Sequence, residues 1–234
     1  MALKSILLAL LASSLPTALA APKISSSASG AAVQGRAAGA LPKNMTFAAE
    51  ASSNAPTYYS GPWYNFPAMD TWLSFGDMFD ANKESMVAAG STWDDVGRIA
   101  VAIEDAAAAI GVDERVILGI IMEESHGYVG VETTYDADGE PTGGLMQASG
   151  CSGYDGQNNL AQADTLYMVT CGTQHYKQNL QDWGDAWSAE SIYPALREYN
   201  SGSVDSDDLS VAPGGVGNPY YVSDISQRFQ GWTD

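Results

Sequence analysis

Residues 113–124 constrain this chain more than any other segment. Ile117, Ile121 and Glu124 stand at i, i+4 and i+7, so they share one face of a helix that begins near Asp113. Leu118 and Ile120 widen the apolar surface until the helix is buried on most sides. Such a helix has to be surrounded by other elements. Its stripe nevertheless ends on a carboxylate. Burial disfavours the ionised form of Glu124, and a place in the last helical turn, at the negative end of the helix dipole, raises its proton affinity further. A carboxyl that keeps its proton near neutrality is what a general acid requires. The same spacing also fits a frayed helix end with Glu124 in water.

The flanking sequence supplies the surround. Apolar spacing from Val96 to Ile110 predicts a helix, with Thr92 as N-cap, Asp95 three residues on as its near-capping-box partner, and Gly111 as its stop. Residues 131–135 have strand propensity, and Asp136 to Pro141 read as a hairpin turn. Asp136-Ala137-Asp138-Gly139 also opens like a calcium loop, but the later ligands do not follow in register. Helices are expected over 161–180, 189–199 and 220–232, the last with Pro219 near its start. Tyr58, Tyr59, Trp63, Tyr64, Phe66, Trp72 and Phe75 read as packing that fastens the incoming segment to the core, with sugar stacking as the alternative. The expected fold is α+β, a predominantly α-helical domain over 58–234 with one small β-hairpin.

The N-terminal residues carry different signals. Lys4, the apolar run 6–12 and Ala18-Leu19-Ala20 form the pattern of a secretory signal peptide over 1–20. Residues 21–57, dominated by Ala, Ser, Gly and Pro, read as a flexible tail or pro-segment, with an N-glycosylation sequon at Asn44. A secreted, extracellular protein is expected, and in that setting Cys151 and Cys171, the only thiols, are expected to form a disulfide. Two cysteines and two histidines are too few for a cysteine-rich zinc site or an iron–sulfur cluster, and no cofactor is called for. The net charge of −18 makes nucleic acid and anionic membranes poor partners. A monomer is expected.

Three strings then occur in order: Glu124-Ser125-His126-Gly127, Gly144-Leu145-Met146-Gln147 and Glu198-Tyr199-Asn200-Ser201-Gly202. Together they resemble the goose-type lysozymes and soluble lytic transglycosylases, glycoside hydrolase family 23, over roughly residues 95–232. The resemblance implies a lysozyme-like fold and a muramidase cleaving β-1,4 bonds between N-acetylmuramic acid and N-acetylglucosamine in peptidoglycan. It makes Glu124 the catalytic acid. Ser125, Gly144, Met146, Gln147, Tyr199, Asn200 and Tyr221 become the lining of a substrate groove. Asp138, six residues before Gly144, matches an aspartate of the goose-type branch. Ser149 stands where that branch has a second aspartate, which leaves Asp138 or Asp136 to hold the water. His126 is expected to set the helix end by donating to a nearby carbonyl.

The chemistry of glycoside cleavage fits these assignments. A proton donor serves the leaving oxygen, and in an inverting site a carboxylate about 6.5–9.5 Å away holds the water. With Asp138 turned to solvent, the sugar's own 6-hydroxyl could attack, giving lytic transglycosylase products. Residues 61–234 carry six basic side chains against 27 acidic ones, a net −21. Such a domain repels anionic peptidoglycan at neutral pH, so it is expected to work in an acid medium. Uncharged chitin is the competing substrate, and a non-catalytic glycan-binding protein the competing class.

Overall fold

The apolar segment around Ile117 becomes the central helix. The computed structural model describes residues 56–135 and 138–234, all within the chain's second unit, residues 51–234. The expected signal peptide, Asn44, Asp136 and residues 21–55 of the expected tail lie outside the described residues. In chain order the helices are α1 (Phe75–Ala89), α2 (Trp93–Ile110), α3 (Glu114–Ser125), α4 (Gln162–Asp182), α5 (Ala189–Ser201) and α6 (Tyr221–Phe229). Strands β1 (Thr134–Tyr135), β2 (Pro141–Gly143) and β3 (Ala148–Ser149) lie between α3 and α4. The fold is mainly helical α+β.

Every residue of α3 from Val116 to Met122 is buried. Asp113 caps its start by accepting from the Arg115 N–H. Helices α1, α2 and α6 pack around it, while α4 joins α2 to α5. Gly119 sets the closest approach. A Cβ there would lie 2.8 Å from Ile225 Cγ2 and 3.4 Å from the Phe229 ring, so only glycine lets α6 come this near.

Helix α2 follows the sequence closely. Thr92 and Asp95 form a reciprocal capping box, and Gly111 ends the helix in the left-handed region at φ 75°. Helix α3 stops without a glycine at its cap: His126 itself takes the left-handed conformation, φ 47°, and its N–H donates to Met122 O. The hairpin is present but larger than expected. Thr134 pairs with Thr142 and Tyr135 with Pro141, and a third strand adds the Gly143–Ala148 pairing, making a three-stranded antiparallel sheet. The Cys151–Cys171 disulfide ties the segment after β3 to α4.

Two expectations need correction. Helix α1 was not anticipated, because its buried face runs Met78, Asn82, Met86 and so carries an amide in the middle of the apolar spacing. The last helix spans only Tyr221–Phe229; Trp232 instead lies against the Arg228 guanidinium, 4.8 Å from its ring centre. The aromatic segment behaves as packing at Phe66 and Trp72, both buried, with Trp72 stacked on Phe229 at 3.9 Å. Tyr58 and Tyr64 stay exposed.

Asp95 joins two levels of this architecture. Its fully buried carboxylate accepts from Thr92 N and Oγ1, from Asn159 N at 2.6 Å and Leu160 N at 2.9 Å, and from Arg98. Burial by itself raises the proton affinity, but these hydrogen bonds outweigh it and hold the carboxyl below its usual range. Asp95→Ala would leave the α2 cap and the 159–160 turn unsatisfied. We expect a loss of about 3 kcal/mol, read as a fall of roughly 6–12 °C in melting temperature for a domain of this size. An unchanged melting temperature would mean that the turn before α4 is held by other contacts.

Candidate active site

The last turn of helix α3 carries two adjacent glutamates, Glu123 and Glu124, and both are partly buried. Glu124 Oε1 accepts a 2.7 Å hydrogen bond from the Tyr221 hydroxyl, at the first turn of α6. Burial raises the Glu124 carboxyl to about 7; the Tyr221 hydrogen bond works against this and the neighbouring Glu123 charge works with it. Tyr199 and Tyr221 are both pushed well above the usual phenol range, first by burial and then by the Glu124 charge. Both phenols therefore keep their protons and act as donors.

The three strings that stand apart in the sequence are brought together by hydrogen bonds. Ser125 Oγ lies 2.8 Å from Leu145 O and 3.0 Å from Ile121 O, which ties the end of α3 to the Gly144–Gln147 turn. Tyr199, on α5, donates to Met146 O at 2.7 Å. The turn is tight: Gly144 and Gln147 both have positive φ, and Gln147 N donates to Gly144 O. Its Met146 side chain seats on α4 at Gly172, where a Cβ would lie 2.4 Å from Met146 Cβ. The turn is thus clamped from α3, α4 and α5.

These contacts reassign several residues expected to line a groove. Ser125 and Met146 are buried at 6 % and 1 % exposure, and their side chains brace the framework. Gly144 is buried too and serves the turn. Asn200 Oδ1 is occupied by Arg197 Nη2 and by Asn218 N. Gln147 is half-buried, with its amide donating to Gly144 O at 3.0 Å. Tyr199 stays partly exposed, and Tyr221 is buried against Glu124. Asp138 is exposed on the turn between β1 and β2. His126 is exposed, and its Nδ1 lies 3.3 Å from Asp234 Oδ2; its partner is a carboxylate and not the carbonyl expected. His175 and Tyr199 stack edge to face with ring centres 5.3 Å apart, and burial lowers the proton affinity of His175.

The sequence reading missed Glu123, Asn218 and Arg228. Glu123 has 12 % of its side chain exposed and lies 3.9 Å from Arg228 Nη2, while Asn218 Nδ2 donates to its Oε1 at 3.3 Å. Burial lifts its carboxyl to about 7; Arg228 pulls it down, and Asp224 and Asp234 push it up. Arg228 is 1 % exposed and makes a two-pronged ion pair with Asp234, at 3.0 and 2.9 Å. A signal was available. In a region with only six basic residues, an arginine on the apolar side of a short helix needs an acidic partner inside the fold.

Chemically, the arrangement offers a protonated carboxyl at mild pH, steadied by a phenol and partly open to solvent. Among the described residues no group of three or more His, Cys, Asp or Glu is placed to hold a metal ion. No helix among them is long and apolar enough to cross a membrane. Neither protein-family models nor curated proteins show a match to this chain.

The two raised carboxyls make stability depend on pH. Between about 4.5 and 7 the folded chain holds protons at Glu123 and Glu124 that the unfolded chain has released. Stability therefore falls as pH rises through that window, with a slope of up to about 1.4 kcal/mol per pH unit for each group. Asp95, Asp208 and Asp234 are held low, so their contribution is lost as pH falls toward and below the ordinary carboxylate range. Chemical denaturation at a series of pH values should place the maximum near pH 4–5. The double variant Glu123→Gln/Glu124→Gln should flatten the decline above it. A wild-type curve that is level from pH 4.5 to 7 would contradict the raised carboxyls.

Proposed function

We propose that this protein is a secreted glycoside hydrolase acting on β-1,4-linked N-acetylhexosamine polymers, with peptidoglycan as the leading substrate and Glu124 as the general acid. The observation that carries the reading is the Glu124 carboxyl, shielded at the end of a buried helix, lifted to about 7 and bonded by the Tyr221 hydroxyl. It is supported by the hydrogen bonds that join the Glu-Ser, Gly-Leu-Met-Gln and Tyr-Asn strings, whose order resembles glycoside hydrolase family 23.

In this mechanism Glu124 gives its proton to the bridging oxygen as the bond to the anomeric carbon breaks. The carboxylate left behind keeps the Tyr221 hydrogen bond, so its new charge is compensated at once. Asp138, on the β1–β2 turn, is the residue to hold the attacking water and give inversion. Its exposure favours a second reading for this step. Attack by the sugar's own 6-hydroxyl would need no protein carboxylate on that face and would leave 1,6-anhydro ends.

The test is to incubate the full chain with bacterial cell walls and with chitin oligomers, beside Glu124→Gln and Asp138→Asn. Glu124→Gln keeps the size of the side chain and removes its acid; it should lower kcat by about 10²–10⁴-fold while binding persists. Wild-type activity should fall as pH rises through about 7, where Glu124 loses its proton. Mass spectrometry of the products separates reducing ends from 1,6-anhydro ends. Loss of activity in Asp138→Asn marks the hydrolytic route. Equal cleavage by wild type and Glu124→Gln would remove Glu124 as the acid, and cleavage by neither would remove the enzyme reading.

A further inference from the structure

We infer that Glu123 is a positioning residue for the Glu124 carboxyl, acting on it through its own charge and through Asn218, which holds the turn that delivers Tyr221. The inference rests on the reading of Glu124 as the acid, and it concerns how that acid is tuned.

The geometry has two arms. In the first, Glu123 and Glu124 are successive residues at the end of α3, both partly buried, so the charge on one disfavours the charge on the other. Glu123 also meets a charged group made of Arg228 and Asp224 from α6 and of Asp234. Arg228 is shared. It gives Asp234 two hydrogen bonds and stands 3.9 Å from Glu123, too far for a close ion pair. His126 adds a further contact to Asp234 on the solvent side. Glu123 is therefore only partly compensated, and its negative charge reaches Glu124.

In the second arm, Glu123 Oε1 accepts from Asn218 Nδ2. Asn218 is gripped on every side. Its N–H donates to Asn200 Oδ1 at 2.7 Å, its carbonyl accepts from Arg197 Nη1 at 2.9 Å, and its Oδ1 accepts from Tyr220 N at 2.9 Å. Tyr221 N in turn donates to Asn218 O at 3.2 Å. Asn218 thus fixes the first turn of α6, from which the Tyr221 hydroxyl reaches Glu124. One glutamate sets both the field around its neighbour and the place of that neighbour's hydrogen-bond donor.

The two arms predict shifts of opposite sign. Glu123→Gln keeps an acceptor for Asn218 and removes the charge, so Glu124 should become easier to ionise. Asn218→Ala loosens Tyr221, whose hydrogen bond favours the ionised form, so Glu124 should become harder to ionise. The experiment follows the side-chain carboxyl carbons of ¹³C-glutamate-labelled full chain by NMR across pH 3–9, assigned with Glu123→Gln and Glu124→Gln. In the wild type the two carboxyls should titrate as a pair, each resonance reporting both steps. In Glu123→Gln the Glu124 resonance should show one step, displaced downward by about one pH unit, and the alkaline limb of the activity profile should move with it. Asn218→Ala should displace that step upward, as should Tyr221→Phe.

The inference is overturned if Glu124 titrates identically in wild type and Glu123→Gln, or if folded Asn218→Ala shifts it downward. Should Asn218→Ala fail to fold, the Glu123→Gln arm decides alone. The NMR readout needs no turnover. Coupled carboxyls in a chain that cleaves no glycan would sink the acid reading, whereas uncoupled carboxyls in a chain that does would sink this inference alone.

Discussion

The close contact of α3 and α6 at Gly119 governs the rest of the structure. Ile225 and Phe229 occupy the space a side chain at 119 would fill, which seats α6 along the central helix. Three consequences follow from that one contact. Tyr221 stands over Glu124 at one end of α6, Asp224 and Arg228 stand toward Glu123 from its middle and end, and Phe229 offers its outer face to Trp72. The incoming segment then closes over α6 through Thr57 N to Gln227, Tyr59 N to Ser223 and Leu73 N to Phe229 O. A helix of only nine residues has little stability of its own. It is held because both of its sides are packed.

Burying two carboxyls side by side is costly, and the fold meets the cost differently at each. Glu124 receives a phenol; Glu123 receives an amide and a share of a distant guanidinium. In neither case do the favourable contacts outweigh the loss of water, and both groups stay protonated well into the range where an ordinary glutamate is charged. Asp95 is the contrast within the same molecule. It is also buried, but backbone N–H groups at helix and turn starts surround it, and its proton is driven off. The difference lies in the number of donors aimed at each carboxylate.

Much of the helical framework was legible because its signals are local. Thr92, Asp95 and Gly111 mark both ends of α2, and the Ile117–Ile121 spacing marks α3. Helix α1 was illegible because Asn82 sits at a core position, satisfied by donating to Met78 O and accepting from Arg228, a partner 146 residues away. Strand β3 is two residues long and carries no period. Within the site, Glu124 could be read from its own helix. Whether Ser125, Met146 and Asn200 would touch a ligand or brace the backbone depends on contacts 18 to 53 residues away in sequence. Side-chain type is the same in both cases, so the motif cannot distinguish them.

Charge ties these observations together. The six basic residues of 61–234 are all engaged within the fold. Lys83, Arg98, Arg115 and Lys177 pair with Asp80, Asp95, Asp113 and Asp185, Arg228 with Asp234, and the buried Arg197 holds Asn200, Ser201 and two backbone carbonyls. What faces solvent is therefore dominated by carboxylates, and their summed field favours proton binding anywhere on the molecule. Added salt shortens the reach of that field, to about 10 Å at 0.1 M. It acts less on Glu123 and Glu124, which are largely withdrawn from water. The same field is indifferent to a neutral polymer, and it repels one carrying carboxylates until the medium turns acid enough to discharge both surfaces. The surface charge and the buried pair thus respond to acid in the same direction: the former lets an anionic chain approach, and the latter keeps a proton ready at the end of α3.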